Sequence, residues 1–229
     1  MIADNFVSNY YRNMGILLVV LVLAGFGFTA IGREISPLDL PLLFHIHAFA
    51  YLAWFVLYIV QTSLIAKRNH NTHRRLGYLS LLVIPAMLVT GFMMSMTSYD
   101  RGISPIPDTT IQQFMVFPLM DLFGLVLFFT IAFLNRHIAL THKHAMLLMS
   151  IAIMDPAVAR LSFALGFPPA ALLMHIGLVI MVIAYDRKTY QKVHWVTWLG
   201  LVYVIIRPIF IFTVGASEGW ANLMDGMYG

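Results

Sequence analysis

The chain has 229 residues, 60% of them hydrophobic and 10% charged, with a formal net charge of +4. Soluble domains carry roughly 25% charged residues, so this composition excludes a water-exposed globule and leaves lipid to cover the surface. There is no cysteine, which excludes disulfides, thiolate metal sites, iron–sulfur clusters and covalent c-type haem; any metal must be held by His, Asp, Glu or backbone oxygen.

Seven apolar stretches approach the ~20 residues that span hydrocarbon. They lie near Met14–Ile31, Leu42–Ala66, Leu76–Thr97, Phe114–Leu134, Ala145–Phe163, Pro169–Tyr185 and Trp195–Val214. All seven are expected to be helices, because an open strand leaves backbone groups unpaired in lipid. The first reads as a retained helix rather than a cleaved signal peptide: its leading segment is long and holds Asp4, and no A-x-A site follows Ala30. The expected fold is all-α, a seven-transmembrane-helix bundle of one N-terminal helix and three helical hairpins, forming a single integral membrane domain over 1–229. The fifteen Met and seventeen Phe serve as lipid-facing and core filler.

The loops set an expected orientation. Lys67, Arg68, Arg74 and Arg75 follow helix two, Arg136 and Lys143 follow helix four, and Arg187, Lys188 and Lys192 follow helix six. The alternate loops are poor in base, with Arg33 beside Glu34 and Asp39, and Arg101 beside Asp100 and Asp108; the tail carries Glu218 and Asp225. The positive-inside rule then places the chain in the cell inner membrane with the N-terminus cytoplasmic and the C-terminus outside. The charge runs are topology signals, so no nucleic-acid partner is expected. The partner is the lipid bilayer, with a homo-oligomer or a larger membrane complex left open.

The three hairpins form a weak internal repeat. Each has a polar residue in the outer half of its first helix (His47, Asp121, His175), a basic inner loop, a His opening its second helix (His73, His142, His194) and a Pro further along (Pro85, Pro156, Pro208). Proline kinks helices, and three kinked helices around one cavity is the resulting picture.

Ionisable groups within a bilayer are costly unless paired or wet, so each is a functional candidate. His45, His47, Asp121, Asp155, Arg160, His175 and Arg207 fall within predicted helices. At 1.5 Å per residue, His47, Asp121, Arg160, His175 and Arg207 lie roughly 9–12 Å from the outer helix ends, and Asp155 lies about 6 Å deeper. His45 and His47 are two residues apart and point to different faces. His47 shares a stripe with Tyr51, Trp54, Tyr58 and Gln61, so it is the one expected to face inward. His45 is left to a neighbouring helix or the interface.

Four readings of this layer compete. His47 and His175 with Asp121 or Asp155 suit a Zn, Fe, Cu or Mn ion, with His45 as a further candidate ligand. Two His from helices two and six suit the axial positions of a haem b, with Arg160 and Arg207 on its propionates. The acids and arginines also suffice to neutralise one another. A transport or proton pathway would use the same residue types. The inner histidines His70, His73, His137, His142, His144 and His194 are expected to be solvated helix-end residues, with a second metal or haem site at the cytoplasmic face as the alternative, since His73, His142 and His194 recur at equivalent hairpin positions. Every Lys lies in a predicted cytoplasmic loop, which excludes a retinal Schiff base. No Gly-rich phosphate loop is present, which argues against an internal ATP motor.

Two resemblances add to this. His45-Ile46-His47-Ala48, His73-Arg74-Arg75-Leu76-Gly77, His142-Lys143-His144-Ala145-Met146 and Asp155-Pro156-Ala157-Val158-Ala159-Arg160 resemble a widespread family of uncharacterised bacterial inner-membrane proteins, over about helices two to five. That resemblance implies a multi-helix bundle and assigns no activity. Seven helices with intramembrane His and Asp also resemble the zinc-dependent hydrolases of the ceramidase and adiponectin-receptor type. Those carry an H-x-x-x-H pair on a late helix, whereas helix seven here has only His194. The working expectation is a metal ion or haem in an outer-leaflet cavity, with a redox role. The alternatives are a metal-dependent membrane hydrolase and a non-catalytic accessory subunit or transporter.

Overall fold

The computed structural model describes residues 2–31, 39–102, 104, 106 and 108–228, with side chains in the first helix from Asn9 onward. Arg33 and Glu34 of the first loop lie outside these residues. Every regular element among the described residues is a helix: α1 (Ile2–Ile31), α2 (Leu42–Ala66), α3 (His70–Gly77), α4 (Ser80–Asp100), α5 (Ile111–Phe114), α6 (Val116–Leu134), α7 (Ala139–Ala152), α8 (Asp155–Ala164), α9 (Ala170–Tyr190), α10 (Trp195–Phe212) and α11 (Glu218–Tyr228).

Six helical stretches are long and apolar enough to cross a membrane, and a seventh is added if α7 and α8, bent by 45°, count as one span. Phe49, Leu82 and Phe212 are each at least 70% exposed, while Asp121, His144, His175, Asp186 and Arg207 are buried. A soluble monomer does not show that much apolar surface to water. The polarity is turned inside out, as expected of a multi-pass membrane protein.

The α2–α3, α6–α7 and α9–α10 connections carry Lys67, Arg68, Arg136 and Lys192 and define a basic end of the bundle. Tyr10 and Tyr11 of α1 belong to this end, because their rings pack on Tyr185 of α9 and His144 of α7. The α4–α5, α8–α9 and α10–α11 connections lie at the opposite end. Helix α1 lies against α2 and α8. It meets α8 at Gly25, where a Cβ would stand 2.3 Å from the Ala157 carbonyl oxygen. Only a residue without a side chain permits that approach.

The predicted span Leu42–Ala66 coincides with α2. Two others differ for local reasons. The predicted helix Ala145–Phe163 is broken between Ala152 and Asp155, because Pro156 has no N–H and its ring clashes with the carbonyl four residues back. The stretch predicted to end at Tyr185 continues to Tyr190 and so brings Asp186 into a helix. Pro85 and Pro208 lie within unbroken helices, so of the three predicted proline kinks, Pro156 is the one that coincides with a break.

The C-terminal tail, to which no helix was assigned from hydropathy, forms α11. It docks across the end opposite the basic one. Met224 is buried, the Trp220 indole N–H donates to the Gln112 carbonyl at 2.7 Å, and the Asp225 carboxylate accepts from Tyr99 Oη and from Gln112 Nε2. The Tyr99 hydrogen bond first, and the Gln112 one second, hold the Asp225 carboxyl below its ordinary value of about 3.8. A carboxyl with a lowered folded value adds stability above its unfolded value, and that stability is lost as the pH falls through the lowered one. Docking of α11 is therefore expected to be insensitive to pH around neutrality and to fail only in strong acid. Asp225→Asn is expected to loosen it already at neutral pH. Trp220 emission, isolated by difference against Trp220→Phe, reports both.

Candidate functional site

The break before Asp155 builds the first buried network. Pro156 cannot donate to the Ala152 carbonyl, and the Ile151 carbonyl, which accepts the Met154 N–H at 3.1 Å, keeps a second lone pair for another donor. Both acceptors are taken by side chains from neighbouring helices. Arg207 Nη1 on α10 donates to Ala152 O at 3.5 Å, and His175 Nε2 on α9 lies 3.2 Å from Ile151 O. Asp155 opens α8, where the helix dipole favours a carboxylate. Its Oδ1 is 3.2 Å from His175 Nδ1, and its Oδ2 accepts from Arg207 Nη2. The same Nη2 donates to Asp121 Oδ1 on α6 at 2.6 Å. Three carboxylate oxygens, one guanidinium and one imidazole thus close on one another, with Arg207 only 4% exposed.

The second network lies at the basic end. His144 on α7 is fully buried. Its Nε2 is 2.5 Å from Asp186 Oδ1 on α9, its Nδ1 is 2.7 Å from the Leu140 carbonyl, and the Tyr11 hydroxyl is 3.3 Å from the same Nδ1. The other oxygen of Asp186 accepts from the His194 backbone N–H at 3.0 Å and from Thr197 Oγ1 at 2.7 Å. His194 stacks on His144 with centroids 4.9 Å apart and caps α10 by accepting the Val196 N–H at its Nδ1. Burial first, and the neighbouring His144 second, hold the His194 ring below its ordinary value, which suits a nitrogen that must accept. Lys143 donates to Tyr190 Oη at 2.9 Å and lies over the Tyr11 ring, closing the cluster toward the basic end.

The two networks are related. Eleven residues separate His144 from Asp155, and eleven separate His175 from Asp186. In the unbroken α9 eleven residues are about three turns, so His175 and Asp186 share a face roughly 16 Å apart; His144 and Asp155 lie on either side of the 45° bend between α7 and α8. The α7–α8 segment runs antiparallel to α9, and each His meets the other segment's Asp. In both pairs the ring stands between a carboxylate and a backbone carbonyl. A neutral imidazole has one N–H for these two acceptors, whereas the imidazolium has two. With His175 doubly protonated, the charges of Asp121, Asp155, Arg207 and His175 sum to zero; with the ring neutral, one negative charge is left over.

Of the residues singled out in the sequence, the structure brings together Asp121, Asp155, His175 and Arg207. His47, His45 and Arg160 are held elsewhere. His47 packs on the Tyr51 ring at 4.4 Å, and its Nδ1 is buried without a hydrogen-bond partner among the described residues. His45 is exposed and contacts the Leu40 carbonyl, the interfacial role left open for it. Arg160 donates to the Pro156 carbonyl and covers the Phe26 ring. The recurrent His73, His142 and His194 have different surroundings: His142 bonds the Ala132 carbonyl, His194 caps a helix, and His73 Nδ1 has no partner among the described residues. His144, placed with the helix-end histidines in the sequence reading, is instead the centre of the basic-end network, and Asp186 was not singled out at all. Their matched eleven-residue spacing was the available signal.

Among the described residues, no group of three or more His, Asp or Glu side chains is disposed to hold a metal ion. No protein-family model matches the chain, and no curated protein and no solved structure matches it.

Proposed function

We propose that the protein handles protons across the membrane, loading and releasing one proton at each of two His–Asp pairs. This chooses the transporter among the readings left open by composition. The observation that carries it is the paired geometry. Two buried imidazoles, one in each half of the bundle, each face two acceptors and lack a second N–H when neutral. Ionisable relays of this kind are the usual reason for burying His and Asp in a bilayer. Between the pairs, α9 buries Leu178, Val179 and Val182, a dry stretch that separates the two sites at rest. The bend at Ala152–Asp155 is the natural hinge, because backbone hydrogen bonds are already missing there.

In this reading α7 and α8 form one span, which gives a seven-helix bundle in the cell inner membrane. The basic end faces the cytoplasm with the N-terminus, and α11 lies outside. The test is purified protein in liposomes carrying an internal pH dye and a potassium-diffusion potential. The expected result is acidification driven by the potential and faster than in empty liposomes. Flux no faster than the empty control, under any imposed gradient of pH or potential, sinks the proposal.

A second reading keeps the metal ion or haem, and with it the redox or hydrolase role, and it rests on His47. A buried imidazole nitrogen without a partner is what a ligand position offers. Stoichiometric metal in tag-free, detergent-purified protein, lost in His47→Ala, would replace the proton reading with this one.

A further inference from the structure

We infer that the basic half of the bundle holds a water-filled inlet between α1, α2 and α3 that ends on Tyr11 and His144. Its use as a proton inlet rests on the function proposed above, but its existence does not.

Seven buried side-chain polar atoms have no hydrogen-bond partner among the described residues, and six of them belong to Tyr10, Tyr58, Gln61, His73 and Thr189. All six lie in the half of the bundle that carries the basic loops. Buried polar atoms are almost always satisfied by protein or by water, and inside a membrane no bulk solvent is at hand to do it. A cluster confined to one half therefore marks internal hydration rather than scattered cost.

The atoms form a file. His73 on α3 lies one turn before Gly77. Gly77 brings α3 against α2: a Cβ built there would meet Gln61 Nε2 at 3.9 Å, an ordinary contact. Gln61, orphaned at both amide atoms, lies one turn beyond Tyr58 on α2. The Tyr58 ring packs directly on Gly15 of α1, within 2.8 Å of where a Cβ would be. Gly15 is one turn beyond Tyr11, whose hydroxyl reaches His144. Beside this file, Tyr10 contacts the Tyr11 ring at 5.3 Å and lines a groove of about 200 Å³ with Asn9, Asn13, Met14, Leu17 and Met181. Unmet hydrogen bonds thus run from the basic end toward the His144–Asp186 pair, with the groove beside them on the α1–α9 side. A buried water takes the polar partners that the protein leaves unmet.

Because the chain has no cysteine, a single introduced thiol is a clean probe. The variants are Gln61→Cys and, as a lipid-facing control, Val60→Cys. Each is treated in sealed membrane vesicles of either orientation with a charged, impermeant methanethiosulfonate. Only a thiolate reacts, and a thiol in lipid stays protonated. Gln61→Cys is expected to label at least about tenfold faster than Val60→Cys, and only from the side of the basic loops. Labelling as slow as the control, or from the opposite side, overturns the inlet. Tyr58→Phe gives a second readout that needs no thiol. Removing a hydrated hydroxyl lowers the thermal midpoint, whereas removing an unpaired one leaves it equal or higher, and that result also overturns the inlet. Labelling without proton flux keeps the inlet and sinks the proton reading; flux without labelling does the reverse.

Discussion

Arg207→Met is expected to be among the most damaging single substitutions in the bundle, costing about 3–5 kcal/mol. The side chain is 4% exposed and its Nη2 bridges Asp121 and Asp155. Methionine fills a similar volume, so the loss is electrostatic rather than a cavity. It leaves two carboxylates buried together with His175 as the sole compensating cation, and it also strips the Ala152 carbonyl of its donor. The check is a thermal melt of the detergent-purified variant beside the compensated triple variant Arg207→Met, Asp121→Asn, Asp155→Asn. A buried ion pair replaced whole by neutral groups is often close to neutral in stability, so the triple variant is expected to recover most of the loss. A single variant within about 1 kcal/mol of wild type would mean that water reaches these carboxylates and that the network is not dry.

Span existence was legible because bilayer thickness is a strong constraint on apolar length, and α2 begins and ends where hydropathy places it. The inward stripe of α2 was legible too, since helical periodicity puts Trp54 and Tyr58 on one face and both are buried. Asp121, His175 and Arg207 were expected at one depth and do meet, but Asp155 was expected about 6 Å deeper and His47 and Arg160 at the shared depth lie elsewhere, because depth alone does not say which groups touch. Three things were hidden. Helix α11 is short and amphipathic, so no length criterion finds it. The break at Pro156 was visible as a proline, but its consequence, the Ala152 carbonyl left to Arg207 and the Ile151 carbonyl shared between Met154 N–H and His175, is a tertiary event. His144 and Asp186 were hidden because each lies near a basic loop, where charged neighbours make a helix-end role the simpler reading. Only the antiparallel pairing of α7 with α9 turns their spacing into a contact.

That pairing leads to the second large effect, which separates chemistry from folding. Asp186→Asn and Asp155→Asn are each expected to keep the fold and to lower proton flux by about a hundredfold or more, the scale of positioned acid–base groups. The reason lies in the donor count. Asp186 accepts from the His194 N–H, from Thr197 Oγ1 and from His144. An asparagine at this position can keep its oxygen toward His194 and Thr197 and turn its amide N–H toward His144 Nε2. The neutral ring then accepts at Nε2 and donates from Nδ1 to the Leu140 carbonyl, so both ring nitrogens and the donors from His194 and Thr197 stay paired. At the other site an asparagine can offer its oxygen to Arg207 and its N–H to His175 Nδ1, while Nε2–H still serves the Ile151 carbonyl. Each ring is thereby locked in its neutral form, without the second N–H that a carboxylate invites. The paired contrast is Asp186→Leu, which fills the space but strands the His194 N–H and the Thr197 hydroxyl and is expected to unfold at a lower temperature than Asp186→Asn. Wild-type flux in both asparagine variants, with melts unchanged, would show that the two pairs are structural clamps between α7, α8 and α9 and carry no proton.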